Sequence, residues 1–247
     1  LRAEYRYRFG PVKDNHTPGI LVPALYNHVI KPARRRWLSW RLASDYVKGD
    51  ELGSLDYVFF PMHTEPENTL MIFSRPYMNQ IEAIRNVSQS IPVGMTLLVK
   101  ENPASVDKRH FNYYRKILDI PNVRLADPAL PTGSILEKAA LVATIAGSVG
   151  WEAVLKRRPV VALGQTPYEH LPSSMVRRVT DLYRLGHEIA DLMRSYRFDE
   201  QAMVAYVAAT LRESAPVNFY STLMGRTVYV GEDGQTYGDE AWRSNID

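Results

Sequence analysis

Between Tyr57 and Leu163 the chain alternates two textures. Short, almost wholly apolar runs recur, and between them apolar residues return every three or four positions. The runs are YVFFP (57–61), TLLV (96–99), NVRLA (122–126), LVATI (141–145) and PVVAL (159–163). Rich in β-branched and aromatic residues, and bounded by turn formers, they read as strands. Residues 75–90 predict a helix with Ser74 as its cap, Pro76 in its first turn, and Tyr77, Ile81, Ile84 and Ile91 near one face. Residues 107–118 predict a second helix. Ser134–Ala140 opens a third with a Ser-x-x-Glu box of Ser134 and Glu137. Trp151–Lys156 predicts a fourth, entered through Gly147-Ser148-Val149-Gly150, and residues 180–195 and 199–213 read as two more. Strands that are apolar throughout, rather than at alternate positions, need cover on both faces. The expected fold is therefore α/β, a Rossmann-like parallel sheet with helices on both faces.

The flanks have a different character. Residues 1–30 carry Gly10-Pro11, Pro18-Gly19 and Pro23 without a sustained period, and Lys48–Ser54 is polar and linker-like. Between them residues 32–48 predict a helix with Trp37, Trp40, Leu42 and Tyr46 on one side and Arg34, Arg35 and Arg41 elsewhere. Two readings fit it: aromatics packed on the body with the arginines solvated, or peripheral contact with an anionic membrane surface. From Glu232 the chain is polar and Gly-rich, a tail by composition. These changes divide the chain into an N-terminal segment and linker (1–54), a Rossmann-like domain (55–215) and a C-terminal extension (216–247).

Charge sharpens the division. Of the net charge of +3, residues 1–48 carry +7, from ten Lys/Arg against three Asp/Glu, and the remainder carries −4. A basic N-terminal segment without a nucleic-acid motif gives no ground for a nucleic-acid partner. The chain has no cysteine, which excludes disulfides and thiolate metal sites. Its six histidines are scattered without His-x-x-x-His spacing, so no metal is expected. No apolar run is long enough to span a bilayer, and no secretory signal pattern opens the chain, which predicts a cytoplasmic location.

Four places at strand ends carry candidate chemistry, because parallel sheets bind ligands beyond the carboxyl ends of their strands. After YVFFP come His63, Glu65 and Glu67, suited to hydrogen bonding with sugar hydroxyls. After TLLV come Lys100 and Glu101, the lysine placed to meet a phosphate or a sugar carboxylate. After LVATI come Gly147, Ser148 and Gly150, where glycines admit close backbone approach and Ser148 is expected to cap the helix and touch phosphate, with Glu152 reaching ribose hydroxyls. After PVVAL come Gly164 and Tyr168, a turn where the ring or the backbone meets a base or sugar. The third place is neither a dinucleotide Gly-x-Gly-x-x-Gly nor a P-loop, and no Gly-x-Ser-x-Gly elbow is present.

In order, YVFFPMHTEPENTL, LLVKENPAS, NVRLADP and TIAGSVGWEAVLKRRPVVALGQTPY resemble the capsule polysaccharide biosynthesis family of bacterial glycosyltransferases, which includes Kdo transferases. The resemblance spans roughly residues 55–195. It implies the C-terminal, donor-binding half of a GT-B glycosyltransferase, with two Rossmann-like domains facing across a cleft. It implies that His63, Glu65 and Glu67 line the donor side, that Ser148, Gly150 and Glu152 hold the nucleotide's phosphate and ribose, and that no bound metal or cofactor is needed. Lys100 and Glu101 fall in what the family writes as Lys-Glu-His-Pro, with Asn102 in place of the histidine.

The implied donor is a nucleotide sugar, CMP-Kdo, the implied acceptor is a glycan or glycolipid, and the expected place of the chain is the cytoplasm or the inner face of the bacterial plasma membrane as a peripheral protein. Residues 1–54 are too few for a second parallel domain with crossover helices. The resemblance places acceptor site and catalytic base or nucleophile in such a domain, so no catalytic residue is assigned, and the chain is expected to be a donor-binding part of a longer enzyme. A nucleotide-sugar-binding subunit that works with a separate acceptor chain, and a sugar-nucleotide epimerase of the same architecture, stay open at this point.

Overall fold

The computed structural model describes residues 24–214, apart from positions 66, 68, 104 and 107, together with residues 229–230 and 236–237. The chain divides into two units, Leu1–Phe198 and Asp199–Asp247. The first unit is built on one seven-stranded sheet, every neighbouring pair parallel. Its strands are β1 (Tyr46–Val47), β2 (Tyr57–Pro61), β3 (Thr96–Lys100), β4 (Val123–Ala126), β5 (Leu141–Thr144), β6 (Val160–Ala162) and β7 (Val176–Arg178). The order is β1-β4-β3-β2-β5-β6-β7. From β2 the chain runs outward through β3 to β4. It then returns to the other side of β2 and continues through β5 and β6 to β7. The order reverses between β2 and β5, and such a reversal opens a crevice at the carboxyl ends of the two strands.

Alternation along each strand feeds two cores. Val58, Phe60, Leu97, Val99, Leu141, Ala143 and Val161 face one side. They pack against α1 (Lys31–Arg41), α2 (Gln80–Ser90), α3 (Phe111–Leu118) and α6 (Leu185–Ser195) through Leu38, Ile84, Val87, Tyr114, Ile117, Leu185, Ile189 and Leu192. Tyr57, Phe59, Leu98, Val142, Val160 and Ala162 are buried on the other side. That side is covered by α4 (Thr132–Lys138) and α5 (Ser148–Leu155), and the Tyr57 hydroxyl donates to the Ile135 carbonyl at 2.7 Å. Each such aliphatic side chain, fully buried, contributes about 1.5–3 kcal/mol. The Rossmann-like parallel sheet with helices on both faces is thus as the hydrophobic pattern predicts.

Local signals were overridden in places. The N-terminal helix ends at Arg41, and Tyr46–Val47 become an edge strand on β4 (Tyr46↔Leu125, Val47↔Ala126), because burial plus ladder bonds outweigh another helical turn. The face α1 buries is Leu38 and Leu42, whereas Trp40 stays 70 % exposed and Trp37 rests edge-on against Phe111 at 5.8 Å. Ser74 does not cap a helix: a 3₁₀ turn at Arg75–Tyr77 takes up Pro76, and α2 starts only at Gln80. The Ser134–Glu137 box does not form, since α4 already begins at Thr132, and Glu137 pairs with Lys156 at 2.8 Å. In the second unit, α7 (Glu200–Glu213) is capped by Asp199, whose carboxylate accepts from the Ala202 N–H at 2.9 Å, and β8 (Tyr229–Val230) pairs antiparallel with β9 (Thr236–Tyr237). The turn-prone stretch of residues 1–23 and most of the polar tail lie outside the described residues.

Candidate functional site

Beyond the ends of β2 and β5 the two central loops interlock. His63 is buried, and its ring bridges them: Nε2 accepts from the Ala146 N–H at 3.3 Å, while Nδ1 lies 3.1 Å from Glu67 Oε2. Those partners select the Nδ1–H tautomer, with Nε2 as acceptor. Burial holds the ring's pKa below the ordinary histidine value despite the neighbouring Glu67 carboxylate, so His63 is neutral at neutral pH.

The main chain at His63 is fixed from behind. Its N–H donates to Gln80 Oε1 at 2.7 Å, and its carbonyl accepts from Gln80 Nε2 at 3.0 Å and from Arg109 Nη2 at 2.5 Å. Arg109, buried in the loop before α3, is the hub of this network. Its Nη1 lies 3.1 Å from Glu65, its Nε 2.6 Å from Glu101, and its guanidinium sits 4.5 Å from the centre of the Tyr113 ring. Glu65 also accepts from Gln80 Nε2. Glu101 is buried beside Arg109, accepting from the Tyr114 hydroxyl at 3.1 Å and from the Asn102 N–H at 2.9 Å. Burial raises its pKa, against the opposing effects of Arg109 and these donors. Glu101 therefore holds the loop rather than facing the crevice.

Lys100, the last residue of β3, turns to the opposite side of the sheet. Its Nζ donates to Thr132 Oγ1, at the start of α4, at 3.1 Å. Burial lowers its pKa, and Asp127 and Glu152 act in the other direction. The carboxyl ends of β3, β2 and β5 thus set a lysine, a neutral histidine and the entrance to α5 side by side.

That entrance is shaped by glycines. Gly147 is the N-cap of α5, its N–H donating to Thr144 Oγ1 at 3.3 Å, and a Cβ there would stand 3.1 Å from His63 Cε1. At Gly150 a Cβ would stand 2.1 Å from the Tyr168 hydroxyl, so only glycine fits over that ring. Tyr168 is buried, and its hydroxyl donates to the Gly147 carbonyl at 2.6 Å; it underpins the turn. Ser148 is the first residue of α5, exposed, and not its cap, contrary to the expectation from sequence. The first N–H groups of a helix have no intrahelical carbonyl, so those of Ser148 and Val149 are available at the crevice. Glu152 is exposed and lies beyond the first turn, farther in than the sequence suggests. At Gly164 a Cβ would stand 2.0 Å from Ser74 Oγ, so this glycine spaces β6 from a neighbouring loop.

The structure therefore gathers Glu65, Glu101 and the His63 carbonyl around Arg109, and pairs the His63 ring with Glu67 and with the turn at Ala146 and Gly147. Tyr168 underpins that turn beneath Gly150, and Lys100 is held on Thr132. Gly164 is left in a packing position. Arg109, Gln80 and Thr132 were not legible beforehand. Arg109 sits in Lys108-Arg109-His110, which reads as surface charge, and nothing in the sequence pairs it with a glutamate 44 residues earlier. No group of acidic and histidine side chains suited to a metal ion occurs among the described residues.

Residues 56–172 match the family model described as capsule polysaccharide biosynthesis protein, which bears out the resemblance carried by the motifs. No curated protein sequence matches the chain. Among solved structures it is similar to Thermosulfurimonas dismutans KpsC, described as a beta Kdo 2,7 transferase: 15% identity over 94% of this chain and 67% of that one, TM-score 0.46. It is also similar to a Methanocaldococcus jannaschii UDP-GlcNAc 2-epimerase in complex with UDP-GlcNAc and UDP (15% identity, 70% of this chain, 51% of that chain, TM-score 0.44). A third is the spinosyn rhamnosyltransferase SpnG complexed with spinosyn aglycone (15% identity, 69% of this chain, 46% of that chain, TM-score 0.43).

Proposed function

We propose, from the match of residues 56–172 to capsule polysaccharide biosynthesis proteins, that this chain is the donor-binding part of a glycosyltransferase that takes a nucleotide-activated sugar. The observation that carries the reading is the convergence of Lys100, His63 and the start of α5 at the strand ends flanking the order reversal. Exposed N–H groups at the start of α5, with the positive end of its dipole, suit a phosphate. Gly147 and Gly150 let that phosphate approach the backbone. Lys100 supplies a positive charge for the phosphate or for a carboxylate on the sugar, and the anion would restore the ammonium pKa that burial lowers. Glu152 is offered to ribose hydroxyls, and the exposed sides of Glu65 and Glu67 to hydroxyls of the sugar.

In the transfer, a bond forms between an acceptor hydroxyl oxygen and the anomeric carbon, the bond from that carbon to the phosphate oxygen breaks, the nucleotide departs with the bonding electron pair, and the hydroxyl proton passes to a base on the acceptor side or to solvent. Preorganised N–H groups and Lys100 stabilise the charge gathering on the departing phosphate. CMP-Kdo fits this description as a donor: its single phosphate meets both the helix start and Lys100. A glycan or glycolipid would be the acceptor.

Calorimetric titration of CMP, UDP and GDP tests the reading. At least one should bind, and Lys100→Met should weaken it by about tenfold or more, since a charge-assisted hydrogen bond contributes roughly 1.5–3 kcal/mol. Binding of none of the three, or equal binding by the variant, would count against it.

A further inference from the structure

A π-helical turn at Tyr26–Ile30 runs directly into α1, and this continuous helix carries an apolar stripe that the fold leaves largely exposed. Leu25 and Val29 are each 56 % exposed, Trp40 70 %, and Tyr26, Ile30 and Trp37 are exposed beside them. Positions 25, 29, 33, 37 and 40 follow one another by steps of four or three, so they return to one side of a helix, with Tyr26 and Ile30 on its flank. Leu38 and Leu42, which are buried, form the separate edge that docks on the body. Five of these side chains lie in solvent apart from the packing face, and Trp37, half-exposed, borders that face against Phe111; such an alignment exceeds the scattered exposure usual for a soluble surface.

The charges beside the stripe indicate its partner. Residues 24–48 hold six Lys/Arg and a single acid, Asp45. Arg36, three residues after 33 and four before Trp40, is exposed on the same side of α1, and Arg41 lies 6.0 Å from the centre of the Trp40 ring. Two tryptophans, a tyrosine and flanking arginines along one apolar strip match what a helix needs to lie in the headgroup region of an anionic bilayer. No helix among the described residues is long and apolar enough to cross a membrane, so the contact is with one leaflet. We infer that the helix 24–41 is an interfacial anchor, its Leu25–Trp40 stripe inserted among acyl chains and its arginines on anionic headgroups. This inference does not depend on the nucleotide reading.

Vesicle flotation of the full chain tests it. Vesicles of equal parts phosphatidylglycerol and phosphatidylcholine should carry the protein up the gradient, with a blue-shifted tryptophan emission. Pure phosphatidylcholine should not, and high salt should release most of the bound protein. The double substitution Val29→Asp and Trp40→Asp, at two exposed positions, should abolish flotation without changing the thermal unfolding midpoint. Three results would overturn the inference: no flotation with the anionic vesicles, flotation that survives the double substitution, or a dimer in sedimentation that the double substitution disperses. The last would assign the stripe to a second copy of this chain.

Discussion

His63 shows how one side chain can be forced into a single chemical state. Its ring lies between a backbone N–H and a carboxylate, and its own backbone is held by Gln80 and Arg109. The ring is neutral in the folded state because burial outweighs the attraction of Glu67. A histidine whose folded pKa lies below the unfolded value binds fewer protons when folded, so its contribution is complete above the ordinary value of 6.5 and is lost as pH falls through the folded value. Urea unfolding of wild type and His63→Gln should therefore diverge in slope between about pH 7 and pH 5, with the wild type losing stability faster on acidification. Parallel profiles would show that the ring is not held neutral. The candidate status of His63, Glu65 and Glu67 was readable from their place after a buried strand. That Glu65 and the His63 carbonyl share Arg109 was not, because a contact between residues 65 and 109 has no local pattern.

At the scale of elements, α5 and its entrance were the most legible part. A strand, a Gly-Ser-Val-Gly break and a helix-forming run leave few alternatives, and the structure realises them as β5, the Gly147 cap and α5. What propensity could not assign was the cap itself. Serine is a good cap in isolation, but here Gly147 takes that place, its amide held by Thr144 and its carbonyl by Tyr168. Gly150 is the pivot: with the Tyr168 hydroxyl where a Cβ would stand, Gly150→Ala must displace the ring or lift the helix. The expected cost is about 1–3 kcal/mol, seen as a lowered thermal unfolding midpoint. An unchanged midpoint would mean that α5 does not sit on this ring. The strands β1 and β7 escaped the sequence reading for a different reason. Tyr46–Val47 is too short to show a period, and Val176–Arg178 carries two arginines, so only the open edges of β4 and β6 make strands of them.

For the whole molecule, the parallel sheet and its two covered faces follow from uninterrupted apolar strands, and the reversal between β2 and β5 follows from the chain returning to the middle after β4. That reversal places residues from three loops, far apart in sequence, along one crevice. The proposed function places a nucleotide phosphate there, on the start of α5. Crystals of the chain grown with CMP, UDP or GDP test this most directly. Phosphate density is expected within hydrogen-bonding distance of the Ser148 and Val149 N–H groups, with Lys100 Nζ turned toward the bound molecule. A nucleotide seated instead in the groove beside β7, about 460 Å³ and lined by Arg178, Thr180 and Arg184, or no bound nucleotide with any of the three, would contradict it.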